Sequence, residues 1–262
     1  MMADAKVSQQ PSQDGQDTAC YVYGIVPADV EEEGDARGVG DPPGKIGVLR
    51  RGEIAALVSE VQLGRPLGTP EDLAAHQRLL DAVATAVPVL PLRFGAVMTD
   101  TQAVRDELLA HPHDEFVAAL KELDGRAQYL VKGRYVEETI LSELLSEVPA
   151  AEELRQQLRG QPEDATRNVR IQLGEIVNQF ISAKREQDTA TVIDALGDYA
   201  VTMSVREPTH EQDSAQVALL VDLDREEELE RVVDDLASRW EGRVNLRLLG
   251  PMAAYDFAVT GD

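Results

Sequence analysis

A single arginine, Arg93, stands inside Val-Leu-Pro-Leu-Arg-Phe-Gly-Ala-Val-Met-Thr-Asp (residues 89–100), with apolar residues on both sides and Pro91 and Gly95 bracketing it. A guanidinium in such surroundings can clamp an anionic ligand, polarise a reacting carbonyl or brace the fold through a carboxylate. A buried one must satisfy its donors, because an unpaired buried charge is too costly. The acids of Thr-Asp-Thr-Gln-Ala-Val-Arg-Asp-Glu (99–107) are the nearest partners in sequence. The residues favour a buried internal brace, with a binding role as the other reading.

The remaining chemistry-bearing residues form no catalytic pattern. The histidines are His76, His111, His113 and His210, and none has a metal-binding spacing with Cys, Asp or Glu. His111 and His113 flank Pro112 and could chelate a metal weakly, but they read as solvated turn residues. Gly-Val-Gly-Asp-Pro-Pro-Gly-Lys-Ile-Gly (38–47) superficially resembles a phosphate loop, yet Val39 and Ile46 occupy the places that need Gly and Ser or Thr. Asp222, Asp224 and Glu226 alternate as calcium ligands might, but Glu227 and Val233 stand where an EF-hand loop needs Gly and Glu. No Gly-x-Ser-x-Gly elbow is present. No catalytic, cofactor-binding or metal-binding residue is assigned, and a non-enzyme is expected.

Charge excludes whole classes of partner. The chain has 262 residues, 48 acidic against 25 basic, for a formal net charge of −23. Such a surface repels phosphate backbones and anionic lipid, so neither nucleic acid nor a membrane surface is expected as partner. The longest uncharged apolar run, 82–92, is too short to span a bilayer and contains Pro88 and Pro91. One cysteine, Cys20, permits no internal disulfide and fits a cytoplasmic location.

The elements that must position Arg93 fall into an α+β pattern in two domains. Residues 1–19 read as a polar, disordered leader. Residues 20–135 read as an N-terminal mixed α/β domain: strands at 21–26 and 54–61, a hairpin partner before the second, a helix capped by Thr69 with Pro70 at its first position, two short helices meeting at Pro112, and a strand at 127–135. Residues 136–164 form a helical connection. Residues 165–262 follow as a C-terminal α+β domain.

In that last part Val169, Leu173, Ile176 and Phe180 keep helical spacing and predict a core or intrachain seam, with a partner-helix surface as alternative. Tyr199, Val201, Met203 and Val205 alternate as a strand, as do Val217, Leu219, Val221 and Leu223. A helix over 225–240 turns Leu229, Val232, Val233, Leu236 and Trp240 inward. A further strand breaks at Gly250-Pro251, and Tyr255, Phe257 and Val259 then share one side of a short strand. A helix crossing an antiparallel sheet in a ferredoxin-like layer is the natural packing.

Four segments taken in order carry a resemblance: Tyr-Val-Tyr-Gly-Ile-Val (21–26), Val-Leu-Pro-Leu-Arg-Phe-Gly-Ala-Val-Met-Thr-Asp (89–100), the acidic strand-helix stretch 217–237, and Leu-Arg-Leu-Leu-Gly-Pro-Met-Ala-Ala-Tyr-Asp-Phe (246–257). Together they resemble the gas vesicle protein F/L family over about residues 20 to 259. In the last motif Met252, Ala253 and Ala254 replace the Trp and two prolines commoner in the family. The resemblance implies a two-domain cytoplasmic protein with a modified ferredoxin-like C-terminal domain. It implies an accessory protein of gas vesicle assembly that engages the small hydrophobic shell protein, and possible contacts with other accessory proteins, without enzymatic activity or cofactor. Leu92, Arg93, Phe94, Gly95, Tyr255 and Phe257 are the candidate partner-binding or structural residues. The alternative is a small-molecule-sensing ferredoxin-like module with Arg93 as its ligand clamp.

Overall fold

The computed structural model describes residues 18–31, 36–162 and 165–258. The leader therefore lies outside the described residues except for Thr18 and Ala19, which already belong to the first strand. The architecture is α+β, with two antiparallel sheets and helices packed on them.

β1 (Thr18–Pro27) runs through the middle of the first sheet. Its sequence is apolar almost without interruption because helices cover both of its faces. On one side it pairs with β3 (Ile54–Gln62), and on the other with the short β4 (Leu90–Pro91) and β5 (Val97–Met98). β2 (Gly47–Arg51) pairs with β3 across a tight turn in which Gly52, at φ 60°, takes the left-handed conformation.

α1 (Pro70–Ala84) begins with a reciprocal cap, in which the Thr69 hydroxyl accepts from the Asp72 N–H and the Asp72 carboxylate accepts from the Thr69 N–H. Leu80 and Ala84 then pack against Tyr21, Tyr23, Val26 and Leu57. The opposite face carries α2 (Thr101–Ala103), which runs into a π turn at Val104–Leu108, and α3 (His113–Leu123). From them Val104, Leu109, Phe116 and Leu120 meet Val22, Ile25, Ala56 and Leu90. Burying each such side chain stabilises the fold by about 2 kcal/mol.

β6 (Arg126–Tyr135) differs from the sequence expectation in its partners. The boundary at 135 groups it with the first domain, but it pairs with β8 (Asp213–Asp222) on one side and β9 (Val244–Met252) on the other. A strand buried on both faces reads the same in either sheet, so its sequence does not reveal its neighbours. β7 (Thr202–Val205) completes the order β7-β8-β6-β9. Between β6 and β7 come α4 (Glu137–Glu147), α5 (Pro149–Leu158) and the 30-residue α6 (Arg167–Leu196). A 3-10 turn at Leu223–Arg225 leads into α7 (Glu226–Arg239), which precedes β9. Leu229, Val233 and Leu236 of α7, with Val192 and Leu196 of α6, cover Tyr129, Val131, Val217 and Leu219.

Three further expectations are corrected. Tyr199 precedes β7 rather than sharing its face, and Val201 and Val205 are exposed because β7 is an outer strand that the helices cover only at Met203. The Gly250-Pro251 pair, a cis peptide, does not break β9, which continues to Met252. Tyr255 to Phe257 form a turn, not a strand, and Val259 lies outside the described residues. The Val169 to Phe180 stripe of α6 is half-buried along its length, and its Phe180 packs with Tyr135, Ile140, Val244 and Trp240. Among the described residues no helix is long and apolar enough to cross a membrane.

Candidate functional site

The loop that carries Arg93 is short because both of its ends are strands on β1. Tyr21 pairs with Val97 and Gly24 with Pro91, so residues 92–96 must span a fixed gap. Backbone bonds pin the loop at each end: the Leu92 N–H donates to the Tyr23 carbonyl at 2.8 Å, and the Val22 N–H to the Ala96 carbonyl at 2.9 Å. Gly95, at φ 91°, makes the turn, and its N–H donates to the Tyr21 hydroxyl at 3.0 Å.

Beneath the loop lies a neutral polar knot. The Tyr21 hydroxyl, already accepting from Gly95, directs its own proton at His76 Nδ1, 3.0 Å away. That assigns the ring proton to Nε2, which lies near the Leu92 carbonyl outside hydrogen-bond geometry. Burial pushes the His76 pKa below its ordinary value, partly opposed by that carbonyl. Tyr21 is pushed up to about 12, chiefly by burial. The Tyr23 hydroxyl exchanges a hydrogen bond with Ser59 Oγ at 2.8 Å and accepts from the Val39 N–H at 2.7 Å. The Phe94 ring closes the knot from above, 5.9 Å from Tyr21 and 5.6 Å from His76 between centroids.

Arg93 itself is not the expected brace. It is exposed, and its side chain makes no hydrogen bond or ion pair among the described residues. The loop turns Leu92 and Phe94 inward and Arg93 and Gly95 outward, so apolar neighbours in sequence belong to the opposite side. The aspartates of the following segment are occupied elsewhere, Asp100 capping α2 through the Ala103 N–H and Asp106 pairing with Arg51 at 3.2 Å.

The terminal motif packs on the same two clusters as this loop. Tyr255 and Phe94 pack against one core cluster of the first sheet, and Phe257 and Leu92 against the other. Ala253 and Ala254 are buried in those same clusters, although they directly follow β9 of the second sheet. Polar bonds fix the crossing. The Ala253 N–H donates to Asp81 Oδ1 at 3.0 Å, and the Asp256 N–H to Gln128 Oε1 at 2.9 Å. Arg206 and Gln128 donate to the Asp256 carboxylate. Of the six candidate residues, Phe94 and Tyr255 are thus half-buried on one face of the first sheet and Leu92 and Phe257 on the other, while Arg93 and Gly95 are exposed.

Several important polar residues carried no clear sequence signal. Asp72 is buried, and although burial alone would raise its pKa, the N–H groups of Gly40, Thr69 and Gly68 outweigh that and hold it below the usual carboxylate range. Its position in the first turn after Thr69 was the one available clue. In the second sheet the Tyr135 hydroxyl donates to Asp188 at 2.7 Å, while Arg243 bridges Asp188 at 3.0 Å and Glu143 at 2.8 Å. His111 and His113 are not drawn into a cluster, and among the described residues no group of three His, Cys, Asp or Glu could hold a metal ion.

The family model of the gas vesicle synthesis proteins GvpL/GvpF matches residues 19–259. Gas vesicle protein F of Streptomyces sp. (strain CB03234) is 32% identical over 244 residues, covering 90% of this chain and 98% of the relative. Gas vesicle protein L of the same organism is 37% identical over 125 residues, or 43% of this chain and 46% of the relative. The crystal structure of GvpF from Anabaena sp. PCC7120 superposes with a TM-score of 0.75 at 21% identity, covering 94% of this chain and 100% of that one. The strand segments, the Leu-Pro-Leu-Arg-Phe-Gly loop and the terminal motif that shares its core clusters therefore belong to a member of the GvpL/GvpF family of gas vesicle synthesis proteins.

Proposed function

We propose that this chain is a non-enzymatic accessory protein that binds the hydrophobic gas vesicle shell protein while the vesicle nucleates or grows, and that it works in the cytoplasm, in association with vesicles and with other accessory proteins. Membership in the family supplies the process. The observation that carries the binding step is the open edge of β7, flanked by two exposed apolar side chains, Val205 at its end (56% exposed) and Val201 just before its start (48% exposed).

β7 pairs only with β8 among the described residues. The Arg206 N–H is spent on the Gln216 carbonyl, so by strand alternation the amides of Met203 and Val205 point away from the sheet. An extended apolar segment can add to such an edge, and a shell subunit awaiting assembly has apolar surface to offer. The net charge of −23 keeps the resulting complex dispersed. The β-helices-β-β-α-β order and the β7-β8-β6-β9 sheet support a ferredoxin-like reading of the second unit and hence a two-domain organisation. Arg93 and Gly95 form a second candidate contact, on a loop whose Phe94 and Leu92 pack into the two clusters of the first sheet. The small-molecule clamp has less support, since Arg93 is exposed rather than set in an enclosing site among the described residues.

Capture of the co-expressed shell protein by the purified chain tests this. Wild type should retain it, and a folded Val201→Glu/Val205→Glu variant should lose it. No capture by wild type would overturn the reading.

A further inference from the structure

The second sheet carries opposite charge on its two sides. Its helix-covered face takes Tyr129 and Val131 of β6 and Leu246 and Leu248 of β9, so the alternating residues Lys132, Arg134 and Arg247 stand on the other face. There Lys132 and Arg247 are direct partners in register, with Arg134 two positions along β6. Like charges directly opposite on neighbouring strands cost stability, a cost that an external anion relieves. The nearest carboxylate, that of the buried Asp213, lies 3.6 Å from Arg134, and its Oδ2 already accepts from Thr209, His210 and Gln216. Arg247 is exposed and has no hydrogen bond or ion pair among the described residues. Arg206, farther across the same face, is paired with Asp256.

On the opposite side of that sheet, α7 packs through Leu229, Val233 and Leu236 and turns Glu227, Glu230 and Asp234 outward along one flank, three and four residues apart. These acids are exposed and outside any ion pair among the described residues. Arg231, between them, is tied back to the Glu227 carbonyl at 3.0 Å. We propose that the strip of Lys132, Arg134 and Arg247 receives the Glu227, Glu230 and Asp234 flank of a second copy of this chain. The spacings agree, since neighbours on a helix flank and on adjacent strands both stand about 5 Å apart. One copy cannot join its own two surfaces, because the sheet lies between them. The contact is therefore head to tail, and copies add one to the next instead of closing as a two-fold dimer. With a net charge of −23 on each copy the long-range force is repulsive, so the contact is weak and depends on short-range pairing at the strip. β7 stands at the other end of the sheet from β9, so its edge stays open in such a row, with or without a shell subunit on it.

The test is sedimentation velocity of the full chain across a concentration series. Wild type should associate beyond a dimer as concentration rises and return to monomer at about 0.5 M salt, where screening confines charge pairing to a few ångströms. Arg247→Glu should weaken association about fivefold to tenfold with an unchanged unfolding midpoint, and Glu230→Lys/Asp234→Lys at least as strongly. An equimolar mixture of the two variants should regain association, because each supplies the surface that the other lacks. Wild type that stays monomeric throughout overturns the contact. So does association that Arg247→Glu leaves intact, and association that Glu230→Lys/Asp234→Lys leaves intact overturns α7 as the occupant. Monomeric wild type together with loss of shell-protein capture in Arg247→Glu gives the strip to the shell protein and overturns the second copy.

Discussion

Each sheet is fastened to its surroundings by a buried polar knot, and the two knots are built from opposite materials. Under the first sheet, Tyr21 bonds to His76 and Tyr23 to Ser59 through neutral hydrogen bonds among packed rings, Tyr21 and Tyr23 tilted 4.8 Å apart and Tyr23 stacked on His76. Under the second, Tyr135, Asp188, Arg243 and Glu143 join a strand, two helices and the turn before β9 through ionised groups. A neutral knot holds its loop without a counter-charge, which leaves Arg93 uncommitted. A charged knot binds four elements strongly only while every member is present.

The largest effect separating the two should come from Arg243→Ala, which strands Asp188 and Glu143 in a poorly solvated place and should cost about 3 kcal/mol in urea unfolding. A cost below about 1 kcal/mol would mean that the charged knot is no stronger than surface pairing. Tyr21→Phe should cost about 2 kcal/mol by orphaning the Gly95 N–H and His76 Nδ1. It should also raise hydrogen exchange at Gly95, and unchanged exchange would show that the loop does not depend on the knot.

Acid should distinguish the knots more gently. His76 has its pKa lowered by burial, so as pH falls below about 6.5 the unfolded chain binds a proton that the folded chain refuses. Stability contributed by the neutral ring is present above that pH and declines below it. Between pH 7.5 and 5.5 wild type should lose more stability than His76→Gln, and equal losses would exclude His76 as the titrating group. The smallest effect belongs to Arg93→Ala, within about 0.5 kcal/mol of wild type, because its side chain has no partner among the described residues. A larger loss would return Arg93 to the role of a brace.

Most elements were legible because their signals are local. The Thr69-Pro70 start of α1, the hairpin at Gly52 and the inward stripe of α7 follow from capping, turn chemistry and helical period alone. What escaped was relational. Nothing in Arg126–Tyr135 tells which sheet it joins, and the alternation around Val201 and Val205 could not show that β7 would be an outer strand. Arg93 departs from the sequence expectation because its apolar neighbours in sequence face the other side of the loop. His76 carries no local signal because its partners, Tyr21 and Phe94, come from distant strands and loops. The seam between terminal and central motifs was visible only as two separate motifs.

That seam also governs when the protein can become itself during synthesis. The Ala253 amide and the Asp81 carboxylate it reaches are 172 positions apart in the chain. A ribosome has therefore long finished every strand of the first sheet before the residues that close its core leave the exit tunnel. Until then the nascent chain displays unfinished apolar surface, and contacts of such long separation are slow to find. During that interval the first sheet has its strands but not the residues that complete its core.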